Sequence, residues 1–329
     1  MRTMLLYSDG VISRKDNTIM FDTGEQKRYL PIHEVDEIMV FGEVTMNKRF
    51  LEFCSQRQIV IHFFNYYGYY TGTFYPREHY SSGHMLVKQV EHYTDLDKRM
   101  VLARAFVQGA VQNIRQVLKY YQYRGKPVAE IVDRIDGLAG GIEKAPSIES
   151  LMSIEGNVRG HYYSAFDQII QNPHFAFEKR TRQPPLNYLN TLISFGNSLF
   201  YTVVLSEIYK THLDPRIGYL HATNLRRFTL NLDVAEVFKP VIVDRAIFAV
   251  VNERKVTEDD FIKDSGGVFL KDSGRKAFVN EIMGKLETTA KHPGVGRTVS
   301  YRRLIRMELH KIEKHILGEK QYEPFVTAL

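Results

Sequence analysis

The stretch TLNLDVAEVF, residues 229–238, puts two acids where a buried helix belongs. Read as a helix, it spreads Leu230, Leu232, Val234, Ala235, Val237 and Phe238 over most of its circumference. A helix apolar nearly all round sits inside a domain. Its remaining polar stripe is Thr229, Asp233 and Glu236, at i, i+4 and i+7, and adjacent members of such a stripe are neighbours on one face. Two carboxylates facing a dry interior must be paired, protonated or bound to a cation. Arg226 and Arg227, just upstream, offer pairing; a divalent metal offers another solution. His221 lies 12 residues before Asp233 and 15 before Glu236. An imidazole and carboxylates, without a thiolate, suit Mn²⁺ or Mg²⁺ better than structural zinc. The plainer alternative is a histidine packed in the core and acids bound to the arginines.

Two other stretches carry chemistry. In LMSIEGNVRGHYYSAF (151–166), Leu151, Ile154, Val158, Tyr162 and Ala165 form one stripe, and Glu155 borders it. Arg159 at i+4 and Tyr162 at i+7 place Glu155 among groups able to touch a phosphate. A surface Glu–Arg pair, worth only a few tenths of a kcal/mol, is the alternative. Gly156 and Gly160 each cost roughly 0.8–1 kcal/mol of helix stability relative to alanine, which suggests a close approach of backbone or ligand. In KRTRQPPLNYLNTLISFGNSLFY (179–201), three basic residues and two prolines precede an apolar helix. Along that helix Asn190, Ser194 and Asn197 recur at i, i+4 and i+7. Buried Asn needs partners. It can orient a metal ligand from behind, or it can specify helix packing.

These residues need a scaffold. The chain has 329 residues, room for two domains, and its 44% hydrophobic and 25% charged content is that of a soluble globular protein. No run of about 18 apolar residues predicts a membrane span, and the start MRTMLLYSDGVISRKD is a poor signal peptide. Cys54 is the only cysteine, which excludes an internal disulfide and a thiolate cluster and points to a reducing cytoplasm. The net charge is +6, with a pI near 9.1, and it is unevenly spread. Residues 1–85 carry nine Lys and Arg against ten Asp and Glu; the rest carries 35 against 28. An anionic partner should prefer the second part.

Short β-branched or aromatic runs, IMVF (38–41), IVIHFF (59–64) and YGYYTGTFY (67–75), predict strands early in the chain. Asp9-Gly10 reads as a hairpin turn, and one helix begins near Asn47, turning Phe50, Leu51 and Cys54 inward. From about Asp95 the spacing becomes helical. Segments are expected near 127–138, 147–170, 187–211, 229–251, 275–290 and 300–317. The fold class is α+β. A sandwich- or roll-like N-terminal β domain (1–85) and a connector (76–94) precede an all-α C-terminal domain (95–329).

Seven stretches, making five matches in order, resemble the CRISPR-associated endonuclease and integrase of spacer acquisition, the Cas-one family. LPIHEVDEIMVFGEVTMN (30–47) and IVIHFFNYYGYYTGTF (59–74) look like its β domain. EGNVRGHYY (155–163) looks like its Glu motif and RQPPLNYLNTLISFGNSLFY (182–201) like its double-proline and Asn motif. GYLHATNLRRFTLNLDVAEVFKPVIVDR (218–245) looks like its His motif and acidic helix. GGVFLKDSGRKAF (266–278) and SYRRLIRMELHKIEKHILGEKQYEPF (300–325) fit its C-terminal pattern.

The resemblance implies a catalytic C-terminal domain in which Glu155, His221 and Glu236 bind one Mg²⁺ or Mn²⁺. Asp233 would ligate it or stand behind the ligands, and Asn190 would stand behind them. Arg159, Arg226 and Arg227 become candidates for contacts to DNA phosphates or for pairing the acids. Asn197, Asn187 and Lys239 depart from the family's usual aromatic, acid and Arg, and Lys lacks the bidentate fork of Arg. The implied activity joins the 3′-OH of captured DNA fragments to the repeats of a CRISPR array. Alternatives are a non-enzymatic DNA-binding scaffold with ion-paired acids, or a stand-alone metal-dependent DNase of repair. The implied partners are double-stranded and branched DNA, a second copy held through the β domain, and the small Cas-two protein, with no membrane.

Overall fold

The computed structural model describes residues 2–76, 80, 82–221, 228–291 and 298–328. The chain divides into two compact units, Met1–His79 and Tyr80–Leu329. The first holds strands β1 (Arg2–Leu6), β2 (Gly10–Lys15), β3 (Thr18–Asp22), β4 (Lys27–Pro31), β5 (Val35–Val40) and β6 (Val44–Met46). Helix α1 (Lys48–Gln56) and strands β7 (Val60–Phe64) and β8 (Tyr70–Phe74) complete it. Two four-stranded sheets form, in the orders β1-β5-β7-β8 and β4-β3-β2-β6.

β1, β5 and β7 run parallel, and α1 makes the crossover between β5 and β7. Its N-cap is Asn47, where the sequence predicts the helix to begin, and the Asn47 side chain accepts from the Phe50 amide. Ile12, Ile19 and Phe21 from one sheet and Leu6, Ile38 and Ile61 from the other share a core with Phe50, Phe53 and Cys54. The Cys54 thiol is free, and burial pushes its pKa up to about 12, so it is inert.

One expectation fails here. Asp9-Gly10 does not close a hairpin: β1 and β2 lie in different sheets, and β2 pairs with β3 instead. The Asp9 carboxylate accepts from the Glu43 amide, stitching the passage between the sheets. The tight turn falls at Asp16, whose φ of 55° is in the left-handed region that Asp tolerates.

The second unit is mainly helical. It contains α2 (Gly83–Thr94), α3 (Leu96–Tyr123), α4 (Ala129–Ala139), α5 (Ile148–Ser164) and α6 (Phe166–Ile170). Then come α7 (Tyr188–Tyr209), α8 (Leu230–Lys239) and α9 (Arg245–Asn252). The hairpin β9 (Phe261–Asp264)/β10 (Gly267–Leu270) leads to α10 (Asp272–Glu287), and the hairpin β11 (Thr289–Lys291)/β12 (Thr298–Ser300) to α11 (Tyr301–Ile316). Most of the expected connector is α2, which Ser82 caps and which packs on α3 and α11. The two small hairpins add strands that helical periodicity does not reveal.

α8 lies between α3 and α7, which explains its apolar circumference. α7 is long and apolar enough by composition to cross a membrane, but 83% of its apolar window is buried in this unit, as befits a core helix. The expected helix 229–251 is broken in its middle. Pro240 has no N–H to donate, and the ladder widens to a π-type turn over Pro240–Asp244 before α9 resumes.

The glycines of this unit divide by their surroundings. A Cβ on Gly196 would lie 2.7 Å from Val243 Cγ1 and 3.0 Å from the Phe278 ring, so α7 needs glycine there. Gly156 and Gly160 meet nothing within 4 Å, so the expected close approach is absent among the described residues. Gly156→Ala should therefore raise unfolding stability by about 1 kcal/mol. Gly196→Ala should lower it by about 1–3 kcal/mol. Urea melts of both variants check the contrast.

Candidate active site

Residues 215–221, upstream of α8, wrap the helix's first turn. The amides of Thr229 and Leu230 donate to the Pro215 carbonyl at 3.0 and 3.1 Å. The Thr229 hydroxyl donates to the Arg216 carbonyl and accepts from the Gly218 amide, both at 2.8 Å. Gly218 is obligatory: a Cβ there would stand 2.8 Å from the Thr229 backbone and 2.9 Å from Asp233 Oδ2.

Asp233 is fully buried. Its Oδ2 accepts from the amides of Tyr219 and Leu220 at 2.6 and 3.0 Å. Its Oδ1 accepts from the His221 amide at 3.0 Å and meets His221 Nδ1 at 2.8 Å. Four donors converge on one carboxylate, so it needs no metal to be tolerated in the interior. The same contact sets the imidazole: Nδ1 carries the proton toward Asp233 and Nε2 is left as the open nitrogen. Burial pushes the His221 pKa down, but the Asp233 hydrogen bond and charge, with Glu236 and Glu155, outweigh it and hold the ring above its ordinary value.

One turn further along α8, Glu236 meets α5. Arg159, buried, donates from Nε to Glu155 Oε1 at 2.9 Å and from Nη2 to Glu236 Oε2. Lys239 donates to Glu236 Oε1 at 2.8 Å. Burial would raise the Glu236 pKa, but Arg159 and Lys239 overcome it and bring it down to about 2. Glu155 and His221 are more open than Glu236, with side chains 23%, 19% and 7% exposed. The arrangement is a carboxylate-rich cluster whose charge is answered by two of the chain's own cations.

A divalent cation is the other partner such a cluster could take. Among the described residues no three His, Cys, Asp or Glu side chains stand close enough together to hold a metal ion as they are. The chemistry of the donors nevertheless fits one: two carboxylates, an imidazole with Nε2 open, and a carboxylate behind the imidazole to orient it.

The family profile of CRISPR-associated protein Cas1 matches residues 4–283. A CRISPR-associated endonuclease Cas1 of Thermodesulfovibrio yellowstonii is 56% identical, covering 99% of each chain. The chain belongs to the CRISPR-associated Cas1 family. With membership comes the enzyme class printed in that relative's name, a CRISPR-associated endonuclease. The solved structure of a Cas1 protein from Thermotoga maritima superposes with a TM-score of 0.88 at 49% identity, over 99% of this chain and 100% of that one. A casposase bound to its integration product shares the fold, with a TM-score of 0.88 at 19% identity over 99% and 93% of the two chains. The α+β reading, strand-rich first and helical second, is that of these Cas1 structures.

Within this Cas1 fold the sequence-derived residues separate. Glu155 and Glu236 are tied together by Arg159, and both charges reach His221. Asp233 stands behind His221 with its lone pairs taken. Asn190 does not back any of the three: its Oδ1 accepts from Arg180 Nη1 and the Thr181 amide, and its Nδ2 donates to the Lys179 carbonyl. Arg159 is spent on carboxylates instead of facing a phosphate. Arg226 and Arg227 lie outside the described residues.

Sequence reasoning misses Asp244. It is fully buried at the end of the π-type turn, 4.0 Å from Arg159 Nη1, with neither oxygen in a hydrogen bond of normal geometry, although the Tyr162 hydroxyl is near enough to pull its pKa down. The one signal for it is a single acid inside the apolar run PVIVDRAIFAVV.

Burial raises the Asp244 pKa to about 6, against roughly 3.9 in an unfolded chain. Between those values the folded state holds the extra proton, so this group favours folding at low pH. The advantage is lost as pH rises from about 4 through 6, by an amount on the order of 3 kcal/mol. Asp244→Asn should therefore be more stable than wild type at pH 7.5, and the gain should vanish below about pH 4. Denaturant midpoints at both pH values test the sign.

Proposed function

We propose that this Cas1-family endonuclease is the strand-transferring enzyme of CRISPR adaptation. The 3′-OH of a captured DNA fragment attacks a phosphodiester of the CRISPR repeat. A new P–O bond forms to the incoming strand, and the repeat strand departs with a free 3′-OH. The observation that supports this reading is the orientation of His221 by Asp233, which leaves Nε2 without a partner among the described residues and within electrostatic reach of Glu155 and Glu236.

Glu155, His221 and Glu236 would hold one Mg²⁺ or Mn²⁺. When bound there, it supplies Lewis-acid stabilisation of the phosphoryl oxygens and lowers the pKa of the attacking hydroxyl. The protein's own part is positional. Asp233 keeps the imidazole in one tautomer. Arg159 and Lys239 hold Glu236 ionised, ready to serve as a ligand. The same ion pairs are what a non-catalytic scaffold would carry, so activity decides between the two.

The reading includes double-stranded and branched DNA as substrate, from repeat and captured fragment. It also includes a homodimer held through the N-terminal β unit, the small Cas-two partner, and a cytoplasmic setting. The excess of positive charge beyond residue 85 supports a polyanionic substrate for the helical unit.

A branched DNA that mimics a half-integrated fragment tests the proposal. With Mn²⁺ the wild-type protein should release one strand and rejoin the duplex, and EDTA should abolish both. Glu236→Ala removes a ligand and should cost more than the roughly 10–100-fold typical of an outer partner. Release without rejoining would favour a stand-alone DNase. DNA binding with no metal-dependent product, even with the small partner added, would favour the scaffold.

A further inference from the structure

Arg180 is a half-buried cation that no carboxylate pairs among the described residues. Its Nη1 donates to Asn190 Oδ1 at 3.0 Å and to the Thr181 carbonyl, and its Nη2 donates to Ser194 Oγ at 2.9 Å. All these partners are neutral. They aim the guanidinium without cancelling its charge. Taking a cation out of water without an anion is costly, and such groups usually find one. Burial accordingly pulls the Arg180 pKa below its ordinary value, whereas Arg159, flanked by carboxylates, is raised. A residue kept for packing alone would not need a charge that its surroundings penalise.

The helix beneath Arg180 says where the missing anion lies. Asn190, Ser194, Asn197 and Tyr201 follow one another at i, i+4, i+7 and i+11 along one face of α7. One end of this stripe holds Arg180. At the other, the Tyr201 hydroxyl lies 3.5 Å from Lys239 Nζ, which is bound to Glu236. Between them Asn197, 9% exposed, leaves Oδ1 without a hydrogen bond. At 1.5 Å per residue, the seven to eleven residues from Ser194 or Asn190 to Tyr201 put Arg180 roughly 10–16 Å along α7 from the acidic cluster. Arg182, exposed on the same basic loop, adds a second cation whose charge reaches Tyr201.

We propose that Arg180, aimed by Asn190 and Ser194, binds a backbone phosphate of the DNA strand that reaches the acidic cluster. At about 3.4 Å per phosphate along a strand, that phosphate lies roughly three to five nucleotides from the reacting one. This rests on the strand-transfer reading for the identity of the anion. The double-proline motif thereby gains a role in binding. Its basic loop carries the charge, and the Asn of the helix sets the direction of that charge. Arg180 positions DNA and does not touch the reacting atoms.

The experiment compares wild type with Arg180→Gln and Arg180→Lys on the branched DNA, by fluorescence anisotropy over a range of salt. One lost phosphate contact should lower the slope of log K against log salt by about 0.7–0.9 for Arg180→Gln. It should raise Kd several-fold, equally for unrelated sequences. Arg180→Lys should keep the slope but lose the fork, raising KM more than it lowers kcat.

A second arm needs no variant. A neutral methylphosphonate walked along the strand should weaken wild-type binding at one position three to five nucleotides from the reacting phosphate. At that position a folded Arg180→Gln should lose nothing more. Unchanged slope and Kd in a folded Arg180→Gln, or no sensitive position for wild type, would overturn the proposal. Wild type that binds and rejoins DNA in the same assay keeps the functional reading standing whichever way the Arg180 result falls.

Discussion

One carboxylate organises this site. Asp233 sits in the interior with three backbone N–H groups and an imidazole N–H turned on it. Each of those donors would be costly to leave unmade, on the order of 1–3 kcal/mol apiece. The loop 215–221 is therefore held in this shape against α8 by its own amides. Gly218 is what lets the backbone come that near. The position of His221, its tautomer and its open Nε2 all follow from this single acceptor. So does the distinction between the two acids of α8: one is consumed in building the loop, and the other, a turn later, keeps company with α5.

The second acid lives among charges instead of amides. Glu236, Glu155 and Asp244 converge on Arg159, and Lys239 closes the group. A buried cluster of this kind is weak evidence for stability, since its desolvation offsets much of its attraction. The lack of a hydrogen bond of normal geometry to Asp244 and its raised pKa show that the compensation is incomplete. Strain of this sort in a domain otherwise well packed is what a functional site leaves behind. Arg180 shows the complementary imbalance, a cation aimed by neutral groups.

Much of this is legible in residue order, because helical periodicity is local. The stripe of Thr229, Asp233 and Glu236, the Glu155–Arg159 pair and the bounds of helices such as α7 and α11 follow from spacing, whereas the expected helix 147–170 divides into α5 and α6. What spacing cannot say is which partner each acid takes. Arg159 reaches Glu236 across 77 residues, and Arg180 reaches Asn190 from a loop with no period of its own. A buried amide such as Asn190 must bond to something, but residue order does not distinguish a metal ligand from a guanidinium on a neighbouring loop. The same limit explains Asp9-Gly10. Its turn chemistry is real, but whether a turn closes a hairpin or passes between sheets depends on pairings elsewhere in the chain. Pro240 announces a break in 229–251, yet a core helix hemmed in by neighbours absorbs it as a widened turn.

The central claim is that Asp233 holds His221 so that its Nε2 serves a divalent cation beside Glu155 and Glu236. Pulsed electron paramagnetic resonance of the Mn²⁺-loaded protein tests it most directly. The account predicts a ¹⁴N coupling from one imidazole that disappears in His221→Gln while the fold is retained. Tight Mn²⁺ binding with no nitrogen coupling, or a coupling unchanged in His221→Gln, would contradict it.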